Sequence, residues 1–125
     1  MYPVAVLGNT PTARGLLLAS KKAGFENVTW FKSAPRSAQA TPLEFPANPI
    51  AANTTRIINT LGGGEALLDL GHQPNRQQVR FANSGFLLTE LPLGDFTKAR
   101  YGAPMMNIEN HHWTDLLALD DPPLD

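Results

Sequence analysis

The sequence predicts an α/β protein, on three observations that fall within its first thirty-odd residues. Residues 2–7 form a short apolar run that stops at Gly8, as a buried strand before a tight turn does. Residues 13–23 carry apolar side chains at helical spacing, and Gly24 follows them as a stop signal. Residues 28–31 are again apolar, β-branched or aromatic. Strand, glycine turn, helix and strand in this order predict a βαβ unit, the start of a partial Rossmann-like layer.

The remainder of the chain predicts shorter elements and a small antiparallel β element. Residues 33–47 are rich in Pro, Ala and Ser, which predicts an irregular loop. Helical spacing of apolar residues predicts helices or single helical turns at residues 53–61, 65–70, 95–100 and 110–119. Extended patterns predict a β-hairpin and one further strand, at residues 77–82, 85–91 and 104–108. We therefore expect one domain over residues 1–119 and a flexible tail at residues 120–125.

Composition excludes several function classes. The chain has 125 residues and a net charge of −1, and neither half carries a basic stripe, so we expect no binding to nucleic acid. No apolar run reaches membrane-spanning length, and the N-terminus lacks a charged leader, so we expect no membrane association and a cytoplasmic location. The absence of cysteine excludes disulfides, thiolate metal sites and cysteine nucleophiles.

The turn after the first strand departs from the dinucleotide-binding pattern G-x-G-x-x-G, in which glycines allow the tight bend and the approach of pyrophosphate. Gly8, Thr10 and Ala13 stand at the three glycine positions. Thr10 before Pro11 predicts an N-cap whose hydroxyl uses one helix amide, and proline supplies no N–H. Lys32 follows the second strand, where the pattern has an acidic acceptor for ribose hydroxyls, and an ammonium group accepts no hydrogen bond.

Six motifs carry a resemblance to a known family, and the resemblance covers nearly the whole chain. They are VAVLG at residues 4–8, AG at 23–24, VTWFKSAPR at 28–36, N-x-x-R-x-x-x-x-L-G at 53–62, LTELPLGDF at 88–96 and RYGAP at 100–104. In these motifs and their order the chain resembles the N-terminal FAD-binding region of the flavin-dependent aromatic hydroxylases. These are the single-component FAD monooxygenases of the salicylate-hydroxylase type.

The resemblance implies FAD as the cofactor, held by the first βα turn, by the acidic residue after the second strand and by an arginine before the helix after RYGAP. Thr10, Lys32 and Asn110 stand at those positions. The resemblance implies five ancestral cofactor-binding positions, which are Gly8, Thr10, Ala13, Lys32 and Arg36. We interpret them as degenerate and expect no tightly bound cofactor in a truncated FAD-binding-like domain.

Three functions follow from this interpretation. The leading hypothesis is a pseudoenzyme, a degenerate homologue that is not an autonomous hydroxylase and acts as an accessory or small-molecule-binding protein. The second is a cofactor-independent isomerase, cyclase or hydrolase on a small aromatic or polyketide-like substrate. The third is an FAD-binding monooxygenase fragment or subunit that works in a complex. As partners we expect a second copy, forming a homodimer, or another protein that covers the open sheet edge, and a small aromatic molecule as ligand.

The densest polar cluster lies near the C-terminus and supplies the candidate catalytic residues. His111 and Asp115 are four residues apart and share one helical face, as a general base and its orienting carboxylate would, and Glu109 lies beside them. His112 competes with His111 for Asp115, and the alternative is a solvated helix start. We expect no metal site, because two histidines and a carboxylate at this spacing lack a wider ligand pattern. Arg14, Lys32 and Arg36 form either a small-anion site or a solvated rim.

Overall fold

The structure is a computed structural model that describes residues 2–32 and 47–117. Both helices and strands occur along these residues, which confirms the predicted mixture of the two. In chain order the elements are β1 (Val4–Leu7), α1 (Pro11–Lys22), β2 (Val28–Phe31), β3 (Ala47–Ile50), α2 (Ala52–Leu61), α3 (Gly64–Leu70), β4 (Gly71–His72), β5 (Arg76–Arg80), β6 (Leu87–Pro92), α4 (Gly94–Tyr101), β7 (Met106–Glu109), a 3-10 turn (Asn110–His112) and α5 (Trp113–Leu116). None of the helices in these two ranges has the length and apolar character needed to cross a bilayer.

The strands form three small sheets. Strands β1 and β2 pair in parallel, as a strand–helix–strand unit requires. Strand β7 lies between β3 and β4 and is antiparallel to both. Strands β5 and β6 form the predicted antiparallel hairpin. The strands of the described residues are therefore divided among separate sheets, with parallel pairing confined to β1 and β2.

Helix α1 packs on one face of the parallel pair. Because side chains alternate along a strand, Val6 points towards the helix, where it is buried with Ala13 and Leu17. The opposite face of the pair carries Leu7 and Phe31, which are 75% and 55% exposed. One face of this sheet therefore lies against a helix, and the other presents large apolar side chains to solvent.

The main core forms around β7. Met106 and Ile108 alternate with more exposed neighbours on this strand and are both buried, so they share the inward face. The buried members of this core come from β3, α2, α3, β7 and the C-terminal turn, by which we mean α5 and Leu117: Ile50, Ile58, Leu67, Met106, Ile108, Leu116 and Leu117. The spacing of apolar residues in the predicted helix at 110–119 places Leu116, Leu117 and Leu119 inward; the first two are buried as predicted, and Leu119 lies outside the described residues.

Glycine ends the second helix as predicted. Gly62 follows α2 with φ of +96°, a left-handed conformation that glycine adopts without steric cost. The amide of Gly63 then donates to the carbonyl of Ile58, which satisfies one of the carbonyls left open at the helix end. The chain can therefore reverse at once into α3.

Several predicted boundaries were wrong or incomplete. Strands β3 and β4 were not predicted, because β3 contains Pro49 and β4 has only two residues. Pro49 has no N–H to donate and is tolerated because β3 lies at the edge of its sheet. The predicted helix at residues 110–119 begins as a 3-10 turn, and only Trp113–Leu116 are α-helical. Of the predicted loop at residues 33–47, Ala47 begins β3, and residues 33–46, including Arg36, lie outside the described residues, as does the predicted tail at residues 120–125.

The β5–β6 hairpin is exposed along its whole length. Every residue of both strands is solvent-exposed, and the register shifts at Val79 and Arg80. The connection is longer than the predicted two-residue turn, since the amide of Phe81 donates to the carbonyl of Phe86 at 2.9 Å. Within residues 2–32 and 47–117, the hairpin is therefore held by its own ladder of hydrogen bonds, and no second layer covers either strand.

We expect the core around β7 to dominate stability, and α3 offers a matched pair of leucines to test this. Leu67 is 1% exposed and Leu68 is 66% exposed. Leu67→Ala should lower the free energy of unfolding by about 2–5 kcal/mol, because it removes buried methyl groups and leaves a cavity. Leu68→Ala should change it by less than about 0.5 kcal/mol. Urea denaturation followed by circular dichroism measures both, and equal losses would contradict this assignment of the core.

Candidate functional site

The turn between β1 and α1 has the conformation of a tight glycine turn. Gly8 has φ of +118°, a value that residues with a side chain rarely adopt. Its amide donates to the carbonyl of Phe31 at 3.0 Å and so joins the turn to the end of β2. A Cβ atom at Gly8 would meet only Ala13, at 3.9 Å, so the backbone conformation and not lack of space requires glycine here.

Thr10 caps helix α1, as the sequence predicts. The amide of Ala13 donates to the Thr10 hydroxyl at 3.3 Å. Pro11 occupies the first helical position and has no N–H. Of the first three residues of the helix, Pro11 therefore has no backbone N–H, and the N–H of Ala13 already donates to Thr10. A helix N-terminus that binds an anion uses these amides, so the structure leaves fewer of them for a phosphate group.

Trp30 organises the other side of the turn, a role that the sequence did not reveal. Its indole N–H donates to the carbonyl of Gly8 at 2.8 Å. Lys32 places Nζ 4.0 Å from the centroid of the Trp30 ring, and Arg14 places Cζ 5.3 Å from it. Cations at these distances are attracted by the electron-rich ring face. Two of the three predicted rim cations therefore meet at one aromatic side chain, and the third, Arg36, lies outside the described residues.

An apolar groove runs between α1 and α2 from the same turn. Its volume is about 630 Å³. Leu16 of α1 and Ile57 of α2 line it and are both more than half exposed, so the groove opens to solvent. The full lining also includes residues of β3 and the C-terminal turn: Pro11, Thr12, Gly15, Leu16, Ala19, Pro49, Ile50, Thr54, Ile57, Ile58, Leu61 and Leu117. This surface can bury an apolar ligand or an apolar segment of polypeptide.

A second cavity, between α2 and the end of α4, has a cationic lining. Its volume is about 540 Å³, and its lining residues are Asn53, Arg56, Arg100, Tyr101 and Gly102. The sequence offered a signal for this cavity, because both arginines belong to motifs that carry the family resemblance. Their convergence depends on the packing of α2 against α4, which local spacing does not specify.

The predicted catalytic residues lie together on the surface, with pairings that differ from the predicted one. Nδ1 of His111 is 3.4 Å from a carboxylate oxygen of Glu109, and Nδ1 of His112 is 3.6 Å from a carboxylate oxygen of Asp115. The sequence favoured His111 with Asp115 and named His112 as the competitor. The 3-10 turn changes the angular offset between these residues, so His112 faces Asp115. Neither cavity described above is lined by any of the four.

Comparison with known proteins gives a likeness of fold alone. No protein-family model matches the sequence, and no curated protein matches it. The crystal structure of Klebsiella pneumoniae HpxO complexed with FAD and uric acid superposes with a TM-score of 0.72 at 17% sequence identity, over 92% of this chain. A single-substitution variant of HpxO complexed with FAD gives the same TM-score and identity, over 93% of this chain. This chain spans 28% of the length of HpxO. The predicted relation to FAD-binding proteins is thus supported at the level of fold.

We expect the Thr10 cap to contribute measurably to stability. Thr10→Ala removes the acceptor of the Ala13 amide and should lower the free energy of unfolding by about 0.5–2 kcal/mol. Thr10→Ser keeps a hydroxyl and should retain most of the stability. Thr12→Ala, an exposed change in the same helical turn, serves as the control. Thermal unfolding of the variants measures the effect, and a Thr10→Ala protein as stable as the control would contradict the capping role.

Proposed function

We propose that this chain is a binding module with a flavoprotein-like fold that functions by joining a second polypeptide chain. The observation that carries the proposal is the open apolar groove between α1 and α2, with a volume of about 630 Å³. Monomeric proteins rarely leave a large, continuous apolar surface uncovered, and such surfaces usually mark binding sites. This is the accessory role among the functions that the sequence suggests.

The parallel pair β1–β2 supports the same proposal. Parallel strands occur almost only in sheets that are covered on both faces. Helix α1 covers one face, and the other face presents Leu7 and Phe31 to solvent. The chain therefore has two apolar surfaces that further polypeptide would bury, one on each side of the same structural unit.

HpxO has a similar fold over the matched part, and this chain corresponds to 28% of the length of HpxO. For this chain we propose a second copy as the occupant of the groove, since a self-complementary apolar contact needs no other component.

The unit of β1, α1 and β2 is, on this proposal, the remnant of a Rossmann-like nucleotide-binding layer. The HpxO structures contain FAD, which favours FAD as a ligand of the assembled complex. The turn argues against tight binding by the single chain, because Thr10 already accepts from the Ala13 amide and Lys32 offers no acceptor. Binding of FAD in a complex is therefore the second candidate function.

A cofactor-independent enzyme receives less support. General acid–base catalysis requires a base within hydrogen-bonding reach of a bound substrate. His111, Glu109 and Asp115 are exposed, and neither of the two cavities contains them. The exposure of these three residues therefore argues against proton transfer to an enclosed substrate.

If the groove joins two copies, the purified protein should sediment as a dimer at micromolar concentration. The double variant Leu16→Glu and Ile57→Glu places charges on both walls of the groove and should yield monomers, because a buried carboxylate without a partner is costly. Leu68→Glu, an exposed change on α3 outside the groove, should leave the dimer intact. Analytical ultracentrifugation distinguishes these outcomes. A wild-type monomer over the whole concentration range would refute the proposed self-association.

We further expect FAD to bind the single chain weakly, for a reason that lies in the turn. Thr10→Gly with Lys32→Glu restores a close backbone approach and a ribose acceptor, while glycine at an N-cap costs only a few tenths of a kcal/mol. Each recovered hydrogen bond is worth roughly 1–3 kcal/mol, so affinity should rise at least about tenfold. Titration of FAD followed by flavin fluorescence measures this. Tight binding by the unaltered chain would show that Thr10 does not interfere with the pyrophosphate.

A further inference from the structure

The end of β7 and the turn after it bring three potential metal ligands together. Glu109 is the last residue of β7, and His111 and His112 belong to the 3-10 turn that follows. One ligand atom from each lies within 4.8 Å of the other two. The two imidazole rings are adjacent, with centroids 3.9 Å apart. The backbone thus presents two nitrogens and one carboxylate oxygen on a segment of four residues.

His112 supplies an independent indication that a ligand belongs here. Its Nδ1 atom is buried and has no hydrogen-bond partner among the described residues. A carboxylate oxygen of Asp115 is 3.6 Å away, which is too far for a hydrogen bond. Buried polar atoms without partners are rare in native proteins, and a metal ion is one of the groups that can satisfy them.

We propose that Glu109, His111 and His112 bind a divalent transition-metal ion of the zinc class. Two imidazoles and one carboxylate form an established zinc ligand set that leaves a fourth position open. Bonds of about 2.0–2.1 Å on a tetrahedral ion place the ligand atoms roughly 3.3 Å from one another. His111 Nδ1 and Glu109 are already separated by 3.4 Å. The exposed side chains of Glu109 and His111 can turn to bring the wider distances into this range.

Asp115 supplies a further carboxylate next to the three proposed ligands. It lies one helical turn beyond the histidines and is already 3.6 Å from Nδ1 of His112. A carboxylate in this place can either take the fourth position or orient a ligating histidine. The ion would link the end of β7 to the turn that leads into Leu116 and Leu117 of the core. This assignment replaces the expectation from sequence that the cluster holds no metal.

The histidine content of the chain makes the test selective. The chain has three histidines and no cysteine, so His72 is the one histidine outside the proposed site and no thiolate can compete. Titration of the full chain with ZnCl2 by isothermal calorimetry should give one ion per chain. His111→Asn and Glu109→Gln should each weaken binding at least about tenfold, since each removes one of three ligands. His72→Asn should bind as the unaltered chain does.

Copper supplies a second readout that does not depend on affinity. Electron paramagnetic resonance of the chain loaded with Cu2+ should show coupling to two imidazole nitrogens, reduced to one in His112→Asn, with circular dichroism confirming that the variants fold. Saturable binding of Zn2+ that requires Glu109, His111 and His112 supports the proposal. Absence of saturable binding, or equal loss of binding in His72→Asn, overturns it.

Discussion

The burial of Met106 and Ile108 is the constraint on which the rest of the described structure depends. These side chains share one face of β7, the central strand of its sheet, and contact residues from α2, α3 and the C-terminal turn. Removing their apolar surface from water supplies the main driving force that holds these elements together. Because β7 is fixed in this way, the polar residues that follow it are presented at a defined place. The clustering of Glu109, His111 and His112 is a consequence of that anchoring.

Polar groups at the turn of the first strand–helix–strand unit form hydrogen bonds with other groups of the same unit. Thr10 accepts from the first turn of α1, and Trp30 donates to the carbonyl of Gly8. The first bond uses the Ala13 amide at the start of α1, and the second joins β2 to the turn that follows β1. Some apolar surface of the same unit is not covered by the described residues: Leu7 and Phe31 are exposed, and the α1–α2 groove opens to solvent. Similarity of fold to HpxO is compatible with this combination, because a backbone arrangement can persist while its ligand-binding groups change.

The sequence determined the elements whose signals are local. Gly8 and Gly62 permit the positive φ angles that the structure has at these two positions, where the sequence predicts a turn and a helix end. Thr10 before Pro11 specifies a helix cap through groups only three residues apart. The first βαβ unit and the hairpin follow from periodicity, because alternation and helical spacing are properties of consecutive residues. The mixed α/β class was predictable for the same reason.

Tertiary structure decided what depends on residues that are distant in sequence. Strands β3 and β4 are too short, or too poor in strand signals, to be specified locally, and they exist because β7 offers hydrogen bonds on both sides. The sequence predicts Trp30 only as a strand residue, and its hydrogen bond to Gly8 forms only when β1 and β2 pair. The pairing of His112 with Asp115, in place of His111, follows from the 3-10 turn. Local sequence fixes backbone preference, whereas partners and cavities are fixed by which surfaces the core brings together.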